Sequence, residues 1–149
     1  MLSLRAAKHK ELSELSALCL RSKAYWGYDE AFMRACRDEL TLHPADMSEN
    51  LTVAELDTVV AGVAKVSLSE NEAELDLLYV DPAFIGRGVG RVLFDWSVQT
   101  ERKKRAKRLL IDADPNALVI YQNFGAVLIG ESPSGSIKGR MLPQLEYLL

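Results

Sequence analysis

The sequence predicts a single α/β (α+β) domain over residues 1–149, in which a mixed sheet of six to seven strands carries helices on both faces in the order βααβββαβαββ. Three observations predict it. β-rich segments between Leu51 and Val80 are broken only by short polar turns, as in an antiparallel meander. From Ala73 onward strand-like and helix-like segments alternate, which brings in parallel pairing and covers the sheet on both sides. The 149 residues are 48% hydrophobic and 26% charged, an ordinary globular balance that buries one core without a staple.

In chain order, Leu2 to Arg5 is a short strand. From His9 to Ser22, Leu12, Leu15, Leu18 and Cys19 recur at helical spacing. A second helix runs from about Asp29, a good N-cap, to Leu40 and carries Phe32, Met33 and Cys36. Leu51 to Leu56 and Val59 to Leu68 form a hairpin about Asp57-Thr58, a turn without the usual glycine. Gly62 inside the second of these strands marks a bulge or a close backbone approach. Ala73 to Val80 alternates, which places Leu75, Leu77 and Tyr79 on one face and Glu74, Asp76, Leu78 and Val80 on the other.

After Asp81-Pro82 comes a glycine-rich loop, then a helix to Lys104 with Val89, Val92, Leu93 and Trp96 on its apolar face. Arg108 to Ala113 is a short strand. Asp114-Pro115 then caps and opens a helix that passes Tyr121 and stops at Gly125. Val127 to Gly130 and Met141 to Leu148 are the last two strands. Pro143 predicts that the final one is an edge or a bent strand, free to pair across a homodimer.

The formal net charge of -3 argues against a nucleic-acid partner. No apolar stretch approaches a membrane span, and the N-terminus has no signal-peptide core, so no membrane partner and a cytoplasmic location are expected. Cys19 and Cys36 lack neighbours at zinc spacing and read as reduced thiols; neither His9 nor His43 has a metal-binding companion, so no metal is expected.

The strongest chemical signal is Ile85-Gly86-Arg87-Gly88-Val89-Gly90, between a strand and a helix. Glycines on alternate positions let several N–H groups converge on one anion, and the helix N-terminus adds positive potential. Arg87 and Arg91 add formal charge. A P-loop would need Gly-Lys-Ser/Thr, but Gly90 is followed by Arg91-Val92. A dinucleotide fingerprint fails on its last glycine, which falls on Arg91 or Leu93. An ordinary turn needs one glycine at most. The third phosphate reading is the pyrophosphate of coenzyme A.

In this loop the chain resembles the GNAT superfamily of N-acetyltransferases, whose signature is Arg/Gln-x-x-Gly-x-Gly/Ala. Gly88 and Gly90 take its glycine positions; Ile85 stands where Arg or Gln is usual. A second segment, Asp114-Pro115-Asn116-Ala117 through Tyr121 to Gly125-Ala126, is similar to the family's Asn-x-x-Ala…Tyr…Gly-Phe, with slightly different spacing and Ala126 for the aromatic.

The resemblance implies a GNAT-like fold, acetyl-CoA as co-substrate, and acetyl transfer to a primary amine of a small molecule or peptide by direct attack. It implies that Leu78, Tyr79 and Val80 pair with the pantetheine arm, with the Tyr79 or Val80 amide as an oxyanion donor. Gly86, Arg87, Gly88, Val89, Gly90 and Arg91 would hold the pyrophosphate, and Asn116 would touch the arm. Tyr121 matches the tyrosine that protonates the leaving thiolate, and Glu74 the carboxylate base. Tyr25, Trp26 and Tyr28 would flank the acceptor. The rival reading is a non-catalytic acyl-CoA-binding regulatory or interaction module.

Overall fold

The computed structural model describes residues 1–149. The elements are β1 (Leu2–Ala6), α1 (Leu12–Ala24), α2 (Glu30–Cys36), β2 (Leu51–Leu56), β3 (Val59–Ser69), β4 (Glu72–Val80), α3 (Val89–Lys103), β5 (Arg108–Asp112), α4 (Leu118–Asn123), β6 (Val127–Pro133) and β7 (Met141–Leu148). The predicted order is thereby observed. All seven strands join one mixed sheet, β1-β2-β3-β4-β5-β7-β6, with β4 and β5 its one parallel pair.

Local chemistry sets many boundaries. Asp29 caps α2 by accepting from the Phe32 amide at 2.8 Å. Asp114 accepts from the Asn116 amide at 2.8 Å and opens the turn that leads into α4, which Gly125 closes at φ +104. Helix α2 stops at Cys36, so Leu40 reaches the core from a run of turns instead of a helix. The glycine-free hairpin turn does form: Asp57 and Thr58 both take positive φ (51° and 71°), and the Asp57 carboxylate receives the N-terminal ammonium.

The two faces of the sheet are packed separately. Helix α3 lays Val89, Leu93, Phe94 and Val98 on one face, and Tyr121 of α4 joins that side. Helices α1 and α2 cover the other with Leu15, Leu18, Cys19 and Cys36. Both cysteines are free and buried, and burial pushes the Cys19 thiol up to about 12, so it is inert at neutral pH.

Gly62 is a point of close approach. A Cβ there would stand 2.9 Å from Leu93 Cδ1, Val89 Cγ1 and the Tyr79 carbonyl oxygen. Gly62→Ala is therefore expected to lower unfolding free energy by about 1–3 kcal/mol, read from the urea midpoint. An unchanged midpoint would mean that α3 sits less tightly on β3 than described.

Two further sequence expectations are corrected. The first concerns β4. Leu77 pairs with Lys65 and Leu75 with Val66, so Asp76 is a bulge. The extra residue reverses the alternation: Leu75 packs on the α3 face, whereas Leu77 and Tyr79 pack against α1 and α2. The second concerns β7, which lies between β5 and β6 and is not an edge. Pro143 is accommodated because its carbonyl accepts from Ala113 just past the end of β5 (2.9 Å), and its missing N–H falls on that same side. Dimer pairing through Met141 to Leu148 is thus closed off; β1 and β6 are the free edges. No helix is long and apolar enough to cross a membrane.

Candidate functional site

Strands β4 and β5 stay paired only through Glu72–Arg108, Ala73–Leu109 and Glu74–Leu110, then diverge. The Asp76 bulge lies at the start of the divergence. Beyond it opens a cavity of about 500 Å³ that reaches from the glycine loop, between the strands, to the end of α1 and the β6–β7 loop. This placement follows from topology: the carboxyl ends of parallel strands are where ligands sit in open sheets of this kind.

The glycine loop forms one end. Gly86 and Gly88 take φ +80° and +82°, and a Cβ at either would meet nothing within 4 Å, so the chain there is set by conformation and faces open space. Gly90 has ordinary helical backbone. Val92 is the first residue to bond back, to the Gly88 carbonyl at 3.2 Å, which leaves the amides of Gly88, Val89, Gly90 and Arg91 without a main-chain partner. Gly86, Gly88, Val89, Gly90 and Arg91 line the cavity. Arg87 does not; its charge acts on Asp57 at the hairpin turn. Arg91 pairs with Asp95 at 3.3 Å and lies over the Phe124 ring. Ile85 is half exposed on the rim.

The middle is the open side of β4. The Asp81 amide donates to Ala61 at 2.8 Å on β3, and antiparallel pairing alternates. Tyr79, opposite Val63, therefore turns its backbone groups toward β3, and Leu78 and Val80 turn theirs toward the cleft. Of the Tyr79 and Val80 amides, only that of Val80 faces the cleft. The Tyr79 ring packs half-buried on the α1 side and contributes wall.

Tyr121 reaches the same space from α4. Its ring meets Phe94 and Phe124 edge-on at 6.1 and 6.2 Å, and its hydroxyl has no hydrogen-bond partner in the chain. Burial, with a smaller push from Asp114, holds the phenol above its ordinary pKa, so it remains a proton donor across the neutral range.

The carboxylates are arranged differently from expectation. Glu74 is the last β4 residue still paired with β5, so it sits at the closed end, in a small groove beside Leu110, Asp112 and Gln144. Asp76, on the bulge, lines the large cavity together with Asp112. Burial raises the pKa of Asp76, opposed in part by a 2.9 Å hydrogen bond from Ser67 and by Lys65. Burial also raises that of Glu74, reinforced by Asp76, Asp112 and Glu72. A raised carboxyl pKa moves either group toward the range of a working base.

At the far end, Tyr25 and Trp26 line the cavity and meet edge-to-face at 5.3 Å. Tyr28 stands behind the wall. Its hydroxyl donates to Asp114 at 2.8 Å and accepts from Arg140 (2.8 Å) and Asn116 (3.2 Å). Asn116 also donates to Asp114 at 3.0 Å, so its amide is engaged in this network and does not line the cavity. Lys23 closes the network with a 2.7 Å ion pair to Asp114. Burial works against ionisation of Asp114, but the Lys23, Asn116 and Tyr28 bonds outweigh it and hold the pKa below the usual carboxylate value.

The residues missed by sequence reasoning are Asp112, Lys23, Glu39 and Arg140, all on the cavity wall. Asp112 had a readable signal, its position at the carboxyl end of a parallel strand. The other three are brought in only by tertiary packing. No group of three or more His, Cys, Asp or Glu side chains comes together to hold a metal ion.

The Acetyltransferase (GNAT) domain profile matches residues 15–135. The chain belongs to the GNAT acetyltransferase family. The fold is similar to the PaiA N-acetyltransferase of Thermoplasma acidophilum in complex with coenzyme A (TM-score 0.79, 16% identity, 100% of this chain and 99% of that one covered). It is similar to a GCN5-related N-acetyltransferase from Rhodopseudomonas palustris (0.82, 24%, 99% and 95%). It is also similar to the ribosomal-protein-S18-alanine N-acetyltransferase of Escherichia coli (0.67, 15%, 98% and 91%). At these identities the likeness carries the fold. No curated protein sequence matches the chain.

Proposed function

We propose that this protein transfers an acetyl group from acetyl-CoA to a primary amine of a small molecule or peptide by direct attack. The observation that carries the proposal is one continuous cavity joining unpartnered loop amides, the open backbone of β4, a buried phenol and two carboxylates. The residues present fit such a co-substrate. The free amides of Gly88 to Arg91 suit a pyrophosphate, and the unpaired groups of Leu78 and Val80 suit an amide-bearing arm.

Acetyl-CoA supplies a thioester carbonyl open to attack. The chain's residues then have three tasks. The Val80 amide donates to the carbonyl oxygen as negative charge develops there. Asp76 takes the proton of the acceptor ammonium; keeping a lysine-like amine of pKa about 10.4 neutral at pH 7 costs about 4–5 kcal/mol, which a poised base and desolvation must meet. As the C–N bond forms and the C–S bond breaks, Tyr121 gives its proton to the departing sulfur, the amide nitrogen loses its second proton to solvent water, and the Tyr121 phenolate takes a proton back from solvent. Asp76 takes this role over Glu74 because it faces the cavity.

The test is thiol release from acetyl-CoA across a panel of primary amines, with acetylated product identified by mass. Turnover is expected, and Asp76→Asn should lower kcat/KM by roughly 10²-fold, the lower end of base catalysis, because Asp112 remains in place. Tight acetyl-CoA binding with no turnover on any amine would favour the non-catalytic binding module instead.

A further inference from the structure

We propose that the acceptor carries a carboxylate beyond its amine, and that Arg140 binds it. This rests on the transferase reading above and names the acceptor class for the same cavity: an amino carboxylate.

Arg140 is held unusually firmly for a loop residue. The Ser134–Arg140 loop is closed by the Ser134 amide donating to the Arg140 carbonyl (2.8 Å) and the Arg140 amide donating to Ile137 (3.2 Å). The Ser134 hydroxyl accepts from the Ser136 and Ile137 amides at 3.2 and 3.1 Å. The guanidinium lies over the Phe32 and Tyr28 rings, 4.8 and 5.2 Å from their centroids. Its Nη2 donates to the Tyr28 hydroxyl at 2.8 Å, and the side chain is only 19% exposed.

This fixed cation is under-partnered. Its nearest carboxylate is Asp114 at 3.8 Å, and Asp114 is already paired with Lys23 at 2.7 Å. Nε and Nη1 donate to no atom of the chain, and Arg140 lines the cavity. A second unmet group stands on the same wall. Ser136 also lines the cavity, and its Oγ is buried without a hydrogen-bond partner. A planar fork held rigid, with a hydroxyl on the same wall, suits a carboxylate. Glu39, close to Gly135 of the same loop, disfavours a doubly charged phosphate there.

The other charges give the acceptor its polarity. Asp76 and Asp112 line the cavity and form no ion pair within the chain. They favour an ammonium group, which must lie near Asp76 to reach the thioester. An acceptor with an amine at one end and a carboxylate at the other satisfies both walls. A diamine satisfies only one and leaves Arg140 facing a second cation.

The experiment compares matched acceptors. Thiol release is followed with the common L-amino acids and γ-aminobutyrate, each beside its carboxamide and its decarboxylated amine. At least one amino carboxylate should be acetylated with kcat/KM roughly 10- to 100-fold above its carboxamide, the range for hydrogen bonds to a charged group. Arg140→Gln should raise KM for that acid by a similar factor, leave kcat near the parent value and erase the preference. Arg140→Lys should restore part of it. Equal or better use of the decarboxylated amines overturns the inference, as does an Arg140→Gln effect equal for both members of a pair. If the glutamine variant does not fold, the wild-type comparison decides alone. Transfer to no amino carboxylate while acetyl-CoA still binds, followed by calorimetry, overturns the inference and leaves the transferase reading standing. Absence of acetyl-CoA binding overturns both.

Discussion

Tyr121→Phe lowers kcat for acetyl transfer by roughly 10³-fold and leaves acetyl-CoA affinity close to the parent's, the loss general acid catalysis commonly supplies. The hydroxyl bonds nothing else in the chain, so its removal orphans no buried group. The ring that remains keeps its edge-on packing with Phe94 and Phe124. Stability should therefore hold and the rate alone should fall, as steady-state thiol release and urea unfolding would show side by side. A sign can be attached on the alkaline side. Burial raises the phenol's pKa, so Tyr121 keeps its proton beyond the ordinary phenol value, and the wild-type rate should not fall on its account below about pH 10. A phenylalanine variant within a fewfold of the parent would give the proton transfer to water.

Gly88→Glu should abolish acetyl-CoA binding while the protein stays folded. Gly88 is the N-cap of α3 at φ +82°, where any other residue is strained by about 1–3 kcal/mol. A Cβ there meets nothing within 4 Å, so the core does not oppose the substitution. What opposes the ligand is a carboxylate placed among the amides of Gly88 to Arg91, where a phosphate's charge is to be received. With acetyl-CoA at about a hundredfold over Kd, the parent should gain about 2.7 kcal/mol of stability. The variant should gain none, and Gly88→Ala, which adds strain without charge, should fall between. Equal ligand stabilisation in all three would mean that the loop is not the anion site.

What could be read from the sequence was what neighbouring residues determine. The caps at Asp29 and Asp114, the stop at Gly125 and the hairpin bounds at Leu56 and Val59 each depend on chemistry within a few positions, and the structure has them there. The glycine loop was legible for the same reason. Strand order was not: whether Pro143 sits on an edge depends on β6 folding back outside β7, and no residue in Met141 to Leu148 encodes that.

The bulge at Asp76 had the largest consequence for the site. One extra residue in β4 reverses the faces of Leu77 and Tyr79 relative to Leu75, at the point where β4 leaves β5. Strict alternation put Glu74 and Asp76 on one face and the resemblance pointed to Glu74, but only Asp76 lines the large cavity where the strands open. The resemblance put Asn116 beside the pantetheine arm, and its side chain answers Tyr28 and Asp114, which lie far apart in the chain. Arg140 carries no local signal at all; its place depends on Tyr28 and Phe32 from the opposite end of the sequence.

The most direct test of the central claim is calorimetric titration of the whole chain with acetyl-CoA, with NAD as the control dinucleotide. One-to-one binding of acetyl-CoA with Kd on the order of micromolar, about -8 kcal/mol, and no heat from NAD, is the expected result. No binding of acetyl-CoA would contradict the claim that the loop amides and the opened β4 form a site for it.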